Sequence, residues 1–446
     1  SLNRDFKRLG GYIHIVHGSA IEVFQDLSAK LSGNIRIFSH EETGNWISYQ
    51  RDIQIKNWSK KAGMEWFEFS QYGVQRPIKN RDGWGYEWNK KMNKPVLPEP
   101  NRVDFYYFDN DFKIIAADSL NQNSSHGKLQ KGGRKNGEEV LLSFLMNRGE
   151  NYSKEMSSPL TAITSCSRLS PYISFGNLSI KEIYQASKKK RDSLAGGKNS
   201  GSWRSSLSSF LGRLRWHCHF VQKLETQPSI EVRCMHPLYE GLREKEFKND
   251  LYDAWKNGQT GYPFIDACMR SLNYNGWITF RMRAMLVSFA SYNLWLDWRI
   301  TGYHLAQTFT DYEPGIHYSQ LQMQSGVTGI NTVRIYNPIK QSYDHDPHGI
   351  FIKKWVPELK NISETWIHEP WKMELSTQKT TKCIIGRNYP APIVDHTISI
   401  KKARSRIAEI IKKDGYKDKS KVVLNKMGSR KRTKTSKNIN PQLQLL

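Results

Sequence analysis

The hydrophobic pattern of the first hundred residues switches period several times. Tyr12-Ile-His-Ile-Val16 alternates like a short strand and stops at His17-Gly18. From Ala20 to Leu31 the apolar residues recur at helical spacing (Ile21, Val23, Phe24, Leu27, Leu31), and Ile35-Arg-Ile-Phe38 reads as a strand again. A helix is predicted from about Trp46 to Lys61, then a third strand at Glu65-Trp-Phe-Glu-Phe69. This strand–helix–strand–helix–strand order predicts a parallel sheet with right-handed crossovers. Three strands are few for a doubly wound sheet, and Leu2, Phe6 and Leu9 already have helical spacing where the sequence opens. The expectation is an incomplete α/β unit over residues 1–115, with earlier strands missing from a fragment.

Between about Ser119 and Gly137 the composition shifts to Asn, Ser, Gly and Lys, so residues 116–137 read as a linker. Helical patterns dominate residues 138–413. Ile265, Met269 and Leu272 share one face, and after Asn275-Gly276 a second face carries Met282, Met285, Leu286, Phe289 and Ala290. Residues 414–446, with Ser429-Arg-Lys-Arg-Thr-Lys-Thr-Ser-Lys437, read as a disordered basic tail. The fold class expected is a doubly wound parallel α/β sheet, incomplete, followed by an all-α helical domain.

Charge adds a partner to this picture. The 67 basic and 42 acidic side chains leave a net charge of +25, which points to a polyanion, nucleic acid first. The 14 tryptophans fit either a core or platforms for extruded bases. No apolar run approaches the ~18–20 residues of a membrane span. Cysteines 166, 218, 234, 268 and 383 form no disulfide framework, so a reducing compartment is expected: the cytoplasm, or the nucleoid in a bacterium.

Two groups of residues carry candidate chemistry. Ser167 and Ser170 stand just before Pro171 in a loop whose hydroxyls and free N–H groups either cradle a phosphate or cap a helix. Arg283 beside an apolar helix face and Asp311 after the next helix are placed to pair in a partly buried position, as functional groups or as a structural salt bridge. His217-Cys218-His219 invites a metal, but neighbours on a helix splay by roughly 100°, so the three cannot meet one ion.

Three stretches resemble the flavin domain of the photolyase/cryptochrome family. Ser167-Arg-Leu-Ser-Pro-Tyr is similar to its T-S-x-L-S-P-Y loop; the others are Ala254-Trp-Lys-Asn-Gly-Gln-Thr-Gly-Tyr-Pro-Phe-Ile-Asp-Ala267 and Leu296-Asp-Trp-Arg299 through Asp311 to Arg334-Ile-Tyr-Asn-Pro338. They follow in the family's order over about residues 138–400, and residues 1–115 resemble the later half of its N-terminal α/β domain. The resemblance implies FAD. It places Tyr152 at the FAD phosphates, with Cys166, Ser167, Arg168, Leu169 and Ser170 on the phosphate loop. Arg213 and Trp216 fall on further cofactor-binding positions, Trp216 opening the W-R-E motif. Arg283 and Asp311 match the ion pair beside the isoalloxazine, Glu313 the second acid of D-x-D, and His317 the position facing flavin N5. Trp298 matches the middle tryptophan of the family's photoreduction chain.

Departures from the pattern bear on activity. Trp216-His-Cys-His-Phe220 has no carboxylate where W-R-E-F has its glutamate, and Leu321-Gln-Met323 replaces a W-x-W. The resemblance and the charge together imply a photolyase that reverses pyrimidine dimers in DNA by light-driven electron transfer. The same resemblance implies a second candidate, a cryptochrome that binds FAD and signals without repair. An antenna pigment of unknown identity is a further expectation, and no metal is expected.

Overall fold

The computed structural model describes residues 2–31, 33–78, 80–106, 127–194 and 201–430. In the N-terminal unit, helices Leu2–Arg8 and Ala20–Lys30 precede strand β1 (Arg36–His40), helix Trp46–Lys61 and strand β2 (Glu65–Phe69). The two strands pair in parallel, Arg36 opposite Glu65 through His40 opposite Phe69. Among the described residues these are the only strands, so Tyr12–Val16 is not the third strand its alternation predicts. Local chemistry accounts for this. The Ile13 amide donates to Asn3 Oδ1 at 3.2 Å, and the Tyr12 and His14 rings close to 4.4 Å, so the backbone is held by a side chain rather than by a ladder.

Helix Arg134–Ser143 starts inside the segment expected to be a linker; residues 107–126 of that region lie outside the described ones. The expected tail is likewise corrected. Tyr416–Met427 is a helix, and Val423 and Met427, one turn apart, are buried with Leu224, Ile230 and Met235. Arg430 then pairs with Asp82 at 2.6 Å. The abundance of lysine hid an apolar stripe of only two residues. Residues 431–446, most of the basic run, lie outside the described residues.

The helical domain is organised by a 24-residue helix, Trp203–Thr226. Helix Pro314–Ser325 packs on it closely enough that a Cβ on Gly315 would lie 2.4 Å from the Val221 Cα. Only glycine permits that backbone approach. Helices Pro263–Asn275 and Phe280–Ser288 bury the two apolar faces read from the sequence, and Gly276 turns between them at φ 65°. The N-terminal unit is tied on by Arg76, whose guanidinium donates twice to Glu225 at 2.6 Å, and by Asn45 and the Trp46 amide, which donate to Glu231. No helix among the described residues is long and apolar enough to cross a membrane.

Candidate flavin site

A cleft opens between helices Phe280–Ser288 and Pro314–Ser325. Arg283 and Asp311 line it and pair at 2.9 Å. Three contacts fix the guanidinium: this carboxylate, the Ile278 carbonyl at 2.9 Å, and the face of Phe309 at 4.1 Å. The pair uses only one oxygen of Asp311. Its Oδ1 is buried without a partner and is open to a further donor.

Glu313 and His317 complete this wall of the cleft. Burial pushes the Glu313 carboxyl up to about 7, although the Tyr72 hydroxyl donates to Oε2 at 3.3 Å. Burial also takes the His317 imidazole down to about 4. The ring is therefore neutral, and Nε2–H donates to the Gly302 carbonyl at 2.9 Å. Leu321 also lines the cleft and packs on Gly302, where a Cβ would lie 2.4 Å from Cδ1.

The loop Cys166–Ser170 borders this cleft through helix Ser170–Ser174, whose Ser174 hydroxyl donates to the Tyr312 carbonyl at 2.7 Å. Arg148, which sequence reasoning missed, organises the loop. Its guanidinium donates to the carbonyls of Val140, Thr164, Cys166 and Ser167, at 2.6–3.3 Å. With those carbonyls engaged below, Arg168 takes φ 60° and lays its guanidinium 3.8 Å from the Trp277 ring centre. Burial lowers Arg168 to about 10, so it remains a cation at neutral pH. Burial pushes the Cys166 thiol up to about 12, so no thiolate opposes an anion at the loop. Ser167 Oγ accepts from the Leu169 amide at 3.4 Å.

Other predicted positions are more dispersed. Tyr152 is buried edge-on against Phe144 and Phe210, each at 5.7 Å, behind the loop. Arg213 is half-buried with Nη2 3.8 Å from Met156 Sδ. Trp216 packs on His219 and Phe220, at 5.1 and 5.5 Å, and does not line the cleft. Trp298 is buried outside the cleft lining, with the Arg299 guanidinium 4.7 Å from its ring. His217, Cys218 and His219 face different neighbours: Tyr72, the Trp88 indole and Arg81. Among the described residues no three His, Cys, Asp or Glu side chains could hold a metal.

Residues 210–409, which contain the Arg283–Asp311 pair, match the FAD binding domain of DNA photolyase. The comparisons support the photolyase/cryptochrome family, and this segment is shared with it. Among curated photolyases, that of Alkalihalophilus pseudofirmus is 34% identical over 59% of this chain and 53% of its own length. The Halobacterium salinarum photolyase is 25% identical over 89% of this chain and 83% of its own length. Cryptochrome-2 of Arabidopsis thaliana is 31% identical over 63% of this chain and 45% of its own length. The match thus spans about half the length of the first and last of these relatives. Among solved structures, the class III photolyase of Agrobacterium tumefaciens has a TM-score of 0.78 at 21% identity, covering 92% of this chain and 86% of that one. The photolyase of Sulfolobus tokodaii, solved with two FAD molecules, has a TM-score of 0.71 at 25% identity, covering 91% and 86%. These photolyase and cryptochrome folds share the α/β N-terminal unit and helical domain described above. The donor set fits the family's cofactor: an orphaned carboxylate oxygen suits a ring N–H, and the Arg168 loop suits a phosphate.

Proposed function

We propose that this chain is a flavin-dependent DNA photolyase, which reverses pyrimidine dimers by light-driven electron transfer. The observation that carries the reading is the partly buried Arg283–Asp311 pair with its unpartnered Oδ1, set in a cleft inside the segment matching the FAD domain. Bound FAD would supply light absorption and the transferable electron. The chain's own residues do the rest. Arg283 and Asp311 hold the ring edge, and Glu313 and His317 wall the cleft. The Cys166–Ser170 loop, stiffened by Arg148, takes the phosphates, with Tyr152 buried behind it and Arg213 on the adjoining helix.

The charge of +25 favours DNA as partner, since lysine and arginine contacts to phosphate position a duplex while a base is extruded. A cryptochrome-type receptor is the second reading. It is favoured by the stretch Trp216-His-Cys-His-Phe220, which has no carboxylate for a repair site. Blue illumination of the reduced, FAD-loaded protein with dimer-containing DNA tests the choice. Loss of lesions in light but not in darkness supports repair, whereas bound flavin and intact lesions move the assignment to the receptor.

A further inference from the structure

A flavin in this cleft, as the function proposed above requires, takes an electron when excited in its oxidised state, and the donor must be a nearby side chain. Two indoles, Trp295 and Trp298, each carry a cation over the ring. Trp298 has Arg299 at 4.7 Å, and Trp295 lies between Arg243 at 4.5 Å and Arg406 at 4.8 Å. A cation over a ring is attracted to its electron-rich face and opposes a positive charge left there.

A phenol gives up an electron readily only if its O–H proton leaves at the same time, so the decisive feature is the acceptor. The Tyr312 hydroxyl lies 3.1 Å from the Asn45 amide oxygen and 3.3 Å from the Tyr318 hydroxyl, and neither is a base. Tyr72 differs. Its hydroxyl is 3.3 Å from the Glu313 carboxylate that lines the cleft, and 3.4 Å from the Ile173 carbonyl. The side chain is held there deliberately. Its backbone has φ 50°, rare for a bulky residue, and Gln75 next along the loop is locked by two hydrogen bonds with Gln222. The His217 ring closes the other side edge-on at 5.0 Å.

We propose that Tyr72 is the one-electron donor of the flavin site and Glu313 the acceptor of its phenolic proton. With FAD bound and excited in its oxidised form, the phenol would give up one electron to it. The O–H bond breaks as a proton moves to a Glu313 oxygen, leaving a neutral phenoxyl radical and a neutral carboxyl. Without an external reductant the electron and the proton return. The groups facing Glu313 are Tyr72 and Glu42 from the N-terminal unit, the Gly315 amide on its own helix, and His217 beyond Tyr72. With its carboxyl near 7, Glu313 accepts the proton better as pH rises through neutrality.

The test uses the full chain loaded with oxidised FAD, with flavin occupancy and circular dichroism checked for each variant. Flash excitation should give a tyrosyl radical by electron paramagnetic resonance. Tyr72→Phe should abolish that signal and slow flavin photoreduction by about 100-fold, the scale of a positioned proton acceptor. Glu313→Gln should keep the phenol but slow the step and flatten its pH profile. A tryptophan radical in the parent, or an unchanged tyrosyl signal in Tyr72→Phe, overturns the assignment while leaving the FAD reading intact. A chain that retains no FAD overturns both.

Discussion

Glu313 and His317 lie four residues apart on one wall, and burial drives both toward neutrality from opposite sides. Glu313 moves from 4.5 to about 7 on folding, so between those values the folded state binds the extra proton. Its contribution to stability is therefore fully present below pH 4.5 and is lost as pH rises to 7. His317 moves from 6.5 to about 4, so the unfolded chain binds the extra proton there, and its contribution rises with pH over that window. The two slopes oppose each other, and a variant separates them. Glu313→Gln should gain stability relative to the parent progressively from pH 4.5 to 7 and hold that gain above, as read by urea unfolding at a series of pH values. A difference independent of pH would show that the carboxyl is not buried in this way. These two residues are legible in the sequence because they stand at fixed distances from Asp311. Arg148 and Tyr72 are not, because their roles come from contacts with carbonyls and a carboxylate distant in the chain.

Helix Trp46–Lys61 and strand Glu65–Phe69 fall where the pattern puts them, although that helix buries only Ile55 and Ser59. Short patterns are less secure. Tyr12–Val16 loses its ladder to the Asn3 side chain, and helix Tyr416–Met427 buries too few apolar residues to stand out from its lysines. The cleft itself depends on one element contact, the approach of Pro314–Ser325 to the long helix at Gly315. Gly315→Ala should force the two helices apart, costing about 1–3 kcal/mol as overpacking does. Thermal unfolding and flavin occupancy should fall together. A variant as stable as the parent, with full occupancy, would mean that the helices separate without disturbing the cleft.

Across the whole molecule, the sequence motifs bring Arg283, Asp311, Glu313 and His317 to one cleft and leave Trp216 and Trp298 outside its lining. Motif spacing records which helix a residue occupies, whereas the side it faces depends on packing that no short stretch encodes. Partner choice is a property of total charge. With +25 on the chain, the logarithm of DNA affinity should fall linearly with the logarithm of salt, by roughly 0.9 for each phosphate neutralised. A slope near zero in a fluorescence anisotropy titration would remove nucleic acid as the partner.

Flavin retention by Asp311→Ala is the most direct test of the account, because repair, signalling and the tyrosine donor all depend on the same cleft. The substitution leaves the partly buried Arg283 without its carboxylate and removes the orphaned acceptor as well. The parent should purify with FAD bound non-covalently, and the folded variant should lose most of it on gel filtration, as measured by flavin absorbance per chain. Equal flavin content in the two proteins would contradict the placement of the cofactor beside Arg283 and Asp311.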